Sequence, residues 1–175
     1  MRKIIPIAAL ALLGALVALP AGAAKPLSNC FGSAPTISGT NGNDVLTGTS
    51  GPDVIVGGNG NDEIRGAQGD DKICGENGND LVIGGAQDDQ VSGGNGVDDV
   101  RGGAHADEVY GGNGNDSLQG DDADNPTANA NPGNDSLFGE NGNDSLDGGG
   151  AVDDADGGRG TDTCVNSETT ANCEA

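Results

Sequence analysis

The chain has no tryptophan, one tyrosine (Tyr110), two phenylalanines (Phe31 and Phe138) and one histidine (His105). Aromatic side chains supply much of the burial that offsets chain entropy, so an ordinary globular core is excluded. A lone histidine with no Ser/His/Asp or Cys/His arrangement argues against nucleophilic catalysis; at its position it reads as a substitution for glycine. The near absence of aromatics also removes sugar-stacking platforms. Basic residues are scarce, 7 against 28 acids, giving a net charge of −21. Such a chain repels nucleic acid and anionic membrane surfaces and attracts cations. Adjacent acids such as Asp88-Asp89, Asp98-Asp99 and Asp153-Asp154 are too frequent to single out a glycosidase carboxylate pair. With 34 glycines, composition alone reads as disorder.

Long apolar runs are missing except at the start. Arg2 and Lys3 precede an apolar stretch from Ile4 to Leu19, followed by Ala21-Gly22-Ala23. This is the layout of a cleavable secretory signal, expected over residues 1–23, and it predicts a secreted or cell-surface protein with no membrane insertion after cleavage. Leu27-Ser28-Asn29-Cys30 partly matches a lipidation box, but Asn29 fits it badly and Cys30 lies well past the apolar run. Export favours disulfides, and four cysteines allow three pairings. One bridge near each end of the repeated region is the favoured expectation: Cys30–Cys74 and Cys164–Cys173. No CxxC or Cys/His spacing supports a zinc site.

What the chain does have is a period. Written in nines from Gly39, it reads GTNGNDVLT, GTSGPDVIV, GGNGNDEIR, GAQGDDKIC, GENGNDLVI, GGAQDDQVS, GGNGVDDVR, GGAHADEVY and GGNGNDSLQ, ending at Gln119. After a break come PGNDSLF, GENGNDSLD, GGGAVDDAD and GGRGTDTCV. The sixth position is aspartate in all 13 units: Asp44, Asp53, Asp62, Asp71, Asp80, Asp89, Asp98, Asp107, Asp116, Asp135, Asp144, Asp153 and Asp162. The eighth is apolar from Leu46 to Leu146 and weakens to Ala155 and Cys164.

Glycines at positions one, two and four predict a six-residue turn, and the last three residues a very short strand with its middle side chain inward. One such strand buries almost nothing, whereas stacked copies bury a continuous ladder. Asparagine at position three marks alternate units (Asn41, Asn59, Asn77, Asn95, Asn113, Asn141), so the full coil is about 18 residues with two turns and two strands. Even units also lose the fourth glycine, to Gln87, His105 and Ala151, which sets those turns apart.

Neighbouring rungs of a β-stack lie about 4.7–4.9 Å apart, roughly twice a calcium–oxygen distance of about 2.3–2.6 Å. An ion between two same-side turns therefore reaches oxygen from both. Each turn offers its position-six carboxylate and carbonyls at glycines such as Gly39, Gly57, Gly75, Gly93 and Gly111. Calcium's loose shell of six to eight oxygens suits this set better than the tight octahedron of magnesium. Seven odd and six even turns leave six and five gaps, so up to about 11 ions are expected.

The repeat GGxGxDxUx resembles the calcium-binding nonapeptide of the repeats-in-toxin (RTX), or haemolysin-type, family. The resemblance spans Gly39 to Val165 and implies an all-β, right-handed parallel β-roll that folds when calcium binds outside the cell. It assigns the metal ligands to the position-six aspartates with main-chain carbonyls. The chain is similar to the short, stand-alone exported form: the 38 residues ahead of Gly39 fit no toxin or enzyme domain. The expected organisation is an N-terminal cap with the first strand (24–38), repeats over 39–119, an inserted polar loop (120–131), repeats over 132–165 and a C-terminal cap (166–175). The expected function is a calcium-dependent structural or interaction module, not an enzyme. The alternative is a small exported hydrolase or toxin-associated accessory protein. The sequence names no protein or surface-polysaccharide partner.

Overall fold

A nine-residue spacing of inward Leu, Ile and Val, interrupted by glycine turns, makes the chain change direction twice per 18 residues, and the computed structural model follows that rule. It describes residues 30–121 and 132–174; the expected signal segment and most of the expected polar loop lie outside them. The strands in chain order are β1 (Ile37–Ser38), β2 (Val45–Thr47), β3 (Val54–Asn59), β4 (Glu63–Gln68), β5 (Lys72–Asn77), β6 (Leu81–Ala86), β7 (Gln90–Asn95), β8 (Asp99–Ala104), β9 (Glu108–Asn113), β10 (Ser117–Asp121), β11 (Ser136–Asn141), β12 (Ser145–Asp147), β13 (Asp154–Asp156), β14 (Thr163–Val165) and β15 (Thr169–Ala171). No helix is present among the described residues.

Consecutive strands alternate between two parallel sheets. The even repeats and both ends form an eight-stranded sheet, β1-β3-β5-β7-β9-β11-β13-β15. The odd repeats form a seven-stranded one, β2-β4-β6-β8-β10-β12-β14. The register is the repeat itself: Ile55 pairs with Ile73, and Ile64 with Val82. The interior is one ladder of buried position-eight side chains from Ile55 to Ala155, with Ile37, Leu46 and Cys164 partly buried at its ends. The architecture is an all-β solenoid, as the periodicity predicts.

Three local features differ from expectation. Most strands are six residues long because they run on through positions one to three of the next unit. The turn therefore shrinks to positions four to six. Position-one glycines do not carry positive φ; they are needed for close approach, because a β-carbon on Gly75 would lie 2.5 Å from the Gly93 carbonyl oxygen of the next rung. Positive φ belongs to positions two and four, and Gln87, His105 and Ala151 adopt it as non-glycines (φ 80°, 77° and 85°). Those turns are kept, at a local steric cost.

The break after repeat nine does not interrupt the stack. Leu118 of β10 pairs with Leu146 of β12, and β9 pairs with β11. Gly120 and Asp121, expected in the loop, complete β10 instead. The disulfides join Cys30 to Cys74 and Cys164 to Cys173, with Cα–Cα distances of 5.8 Å. The first draws the segment from Cys30 to Ser33 along the outer flank of the eight-stranded sheet. Cys30 is buried there, Lys72 Nζ donates to Ser33 Oγ at 3.1 Å, and the Phe31 ring lies 5.7 Å from that of Tyr110.

Candidate metal centre

Each turn points its position-six aspartate inward, and coiling places same-side aspartates one rung apart. One carboxylate oxygen has a structural task. Asp44 N–H donates to Asp62 Oδ1 at 2.8 Å, Asp62 N–H to Asp80 Oδ1 at 2.7 Å, and Asp80 N–H to Asp98 Oδ1 at 2.8 Å. The even column repeats this through Asp53, Asp71, Asp89 and Asp107, then crosses the break to Asp135 and Asp153. The odd column crosses from Asp116 to Asp144 and ends at Asp162.

The other oxygen has none. Oδ2 is buried without a hydrogen-bond partner in Asp62, Asp71, Asp80, Asp89, Asp98, Asp107, Asp116, Asp135, Asp144, Asp153 and Asp162. A buried, unsatisfied carboxylate oxygen is costly, and its recurrence in column after column is no accident of packing. Most of these orphans converge with a carbonyl of the next rung: a β-carbon on Gly57 would sit 2.4 Å from Asp62 Oδ2 and 2.8 Å from Gly75 O. The same holds for Gly75 with Asp80 Oδ2 and Gly93 O, at 2.4 and 2.5 Å. Carboxylate and carbonyl oxygens are the donor set of hard cations. Among the described residues no three His, Cys, Asp or Glu side chains gather as a metal-binding group. The arrangement instead pairs carboxylates from successive turns with main-chain oxygen, so the residues present fit calcium.

Burial raises the affinity of these carboxyls for protons. It pushes Asp89 up to about 8 and Asp107 up to about 9, and same-column aspartates push them further while their backbone donors oppose it. Asp98 and Asp135 rise to about 7, and Asp71, Asp80 and Asp144 to about 6, with burial again the largest cause. A column that resists negative charge in the absence of a counter-ion is electrostatically prepared for one.

The first turn of each column is different. Thr40 N–H and Thr40 Oγ1 both donate to Asp44 Oδ2, at 2.6 and 2.9 Å. Thr49 does the same to Asp53 Oδ2, at 2.7 and 2.9 Å, and its N–H holds the Asp53 carboxyl below the ordinary range.

Sequence reading missed several residues of these columns. The position-three asparagines form a ladder: Asn59 Nδ2 donates to Asn41 Oδ1 at 2.8 Å, and the pattern continues through Asn77, Asn95, Asn113 and Asn141. Their regular spacing was visible, but not their mutual bonding. Asp121 is 5% exposed, accepts the Gly150 N–H at 2.7 Å and leaves Oδ1 unpartnered; it stands off the aspartate period, so no spacing revealed it. Glu168 and Glu174 accept the N–H groups of Asp153 and Asp162. Their signal was the twice-written Asn-x-Glu at 166–168 and 172–174.

A parallel two-sheet solenoid with an acidic turn column along each edge defines a class of repeat protein whose turns are built for cations. A family model described as the RTX calcium-binding nonapeptide repeat matches residues 38–73, 75–107, 101–125 and 129–164. The chain belongs to that family, and its repeats are calcium-binding repeats. No curated protein matches the chain.

Proposed function

We propose that the chain is an exported structural or interaction module whose β-roll closes on calcium held between same-side turns. The observation that carries this reading is the set of eleven buried Oδ2 atoms with no protein partner. In each gap the orphan Oδ2 and the facing carbonyl of the next rung would hold the ion, with Oδ1 kept in place by a backbone N–H. Calcium supplies positive charge to two columns of carboxylates that otherwise repel one another. The aspartates orient their free oxygens, the position-one glycines admit close approach, and the apolar ladder gains rungs as turns lock. Folding and metal binding are then one equilibrium.

Export rests on the N-terminal layout of residues 1–23 and on the two disulfides, which belong to oxidising compartments. The family's repeats serve structural roles, and a non-catalytic role agrees with the scarcity of histidine and aromatic residues. Far-UV circular dichroism of the purified, disulfide-intact chain tests the coupling. A weak, coil-like spectrum in chelator that becomes β-rich in millimolar calcium is expected. An identical spectrum in both would overturn coupled folding.

A further inference from the structure

The two columns do not end alike. At the N-terminal end, two donors from Thr40 occupy Asp44 Oδ2, and two from Thr49 occupy Asp53 Oδ2, filling the lone pairs of each oxygen. The cause is local. Position two carries positive φ in later units, as at Gly58, Ala67 and Glu76, whereas neither threonine does. A β-branched residue is penalised there, and each threonine instead aims its N–H at the carboxylate.

At the C-terminal end the pattern reverses. Asp153 and Asp162 are both 0% exposed, and each leaves Oδ2 without a partner although the chain makes no later aspartate turn. In place of such turns the chain carries Asn-x-Glu, twice. A β-carbon on Gly148 would lie 2.4 Å from Asn166 O and 2.8 Å from Asp153 Oδ2; on Gly157 it would lie 2.5 Å from Asn172 O and 2.8 Å from Asp162 Oδ2. Asn166 and Asn172 thus stand where the next position-one glycine would. Glu168 N–H donates to Asp153 O at 2.9 Å, as Asp154 N–H does to Asp135 O one rung earlier. The register pairs Thr169 with Asp154, so Glu168 stands opposite Asp153 at the aspartate position, and its Oε2 accepts the Asp153 N–H at 2.7 Å as Asp153 Oδ1 accepts that of Asp135. Glu174 repeats the arrangement on Asp162.

We infer that the metal columns are offset toward the C-terminus. Thr40 and Thr49 close the Asp44 and Asp53 carboxylates to metal, while Asp153 with Asn166 and Glu168, and Asp162 with Asn172 and Glu174, form two additional terminal calcium sites. The short Asn-x-Glu turns are compressed repeats that keep the metal-facing oxygens and omit the rest of the turn. The inference rests on the calcium reading above and specifies which ends of the columns are filled.

Native mass spectrometry of the disulfide-intact full chain, titrated with calcium, counts the ions. Glu168→Ala with Glu174→Ala removes one carboxylate from each terminal site and lowers the count by two, since affinity tracks the number of charged ligands. Thr40→Gly with Thr49→Gly installs the glycine that most other repeats carry at position two, frees two Oδ2 atoms and raises the count by two. An unchanged count in the glutamate variant overturns the terminal sites, and an unchanged count in the threonine variant overturns the closed ends. Should the glutamate variant fail to fold, the threonine variant still decides the offset. An unaltered chain that takes up no calcium overturns the calcium reading itself, an outcome distinct from unaltered uptake with unmoved variants.

Discussion

Gly75 shows how little freedom a single residue has in this fold. A β-carbon there would press within 2.4 Å of Asp80 Oδ2 and 2.5 Å of Gly93 O, the two oxygens that face the gap. Gly75→Ala is expected to weaken calcium uptake at that gap and to raise the calcium concentration at the folding midpoint, measured by circular dichroism titration. The exposed Gly42 has nothing within 4 Å of such an added carbon, so Gly42→Ala is expected to leave the midpoint unchanged. The sixth-position aspartates were legible because the chemistry repeats without exception. Glu168, Glu174 and Asp121 were not, because each reaches a column from outside the nine-residue frame.

A strand of this roll is stable only through its neighbours. Ile64 of β4 is fully buried between Leu46 and Val82 of the adjoining rungs. Ile64→Ala is expected to destabilise the calcium-loaded roll by about 2–5 kcal/mol, read from denaturant unfolding at saturating calcium. The position-eight ladder was legible from the nine-residue period alone, but strand length was not. Glycine at positions one and two reads locally as turn, and only the parallel partner one rung away, as in Gly58 beside Glu76, draws these residues into the sheet. In the same way, the degraded fourth positions looked like weak turns. The stack holds Gln87, His105 and Ala151 in the backbone conformation that glycine would adopt unaided. The flank segment from Cys30 to Ser33 was illegible for a different reason: the Cys30–Cys74 pairing fixes which residues meet, not the side of the roll on which they lie.

Across the whole molecule, the carboxylate columns tie stability to both protons and calcium. In the metal-free roll, buried aspartates keep protons that an unfolded chain would release near the ordinary carboxylate value of 3.8, with Asp89 raised to about 8 and Asp107 to about 9. The folded state therefore binds more protons than the unfolded one between about pH 4 and about pH 9, and stability falls as pH rises through that window. In chelator, the chain is expected to be most ordered near the acid end and to lose β-structure toward the alkaline end, tracked by circular dichroism across that range. A gain of structure with rising pH would contradict the assignment. With calcium present the trend reverses in sense, because protons compete for the same oxygens. The calcium midpoint is expected to move to higher concentration as pH is lowered from about 8 to about 6.

The free Oδ2 of the eleven buried aspartates that leave it unpartnered exists, on this account, to meet a cation shared with the next rung. The most direct measurement is a crystal structure of the chain grown in calcium, with anomalous difference density computed at long wavelength. Peaks between successive same-side turns, in contact with Oδ2 of residues such as Asp80, Asp89 and Asp98, are the predicted result. Gaps that hold only water, or Oδ2 atoms turned onto protein donors, would contradict it.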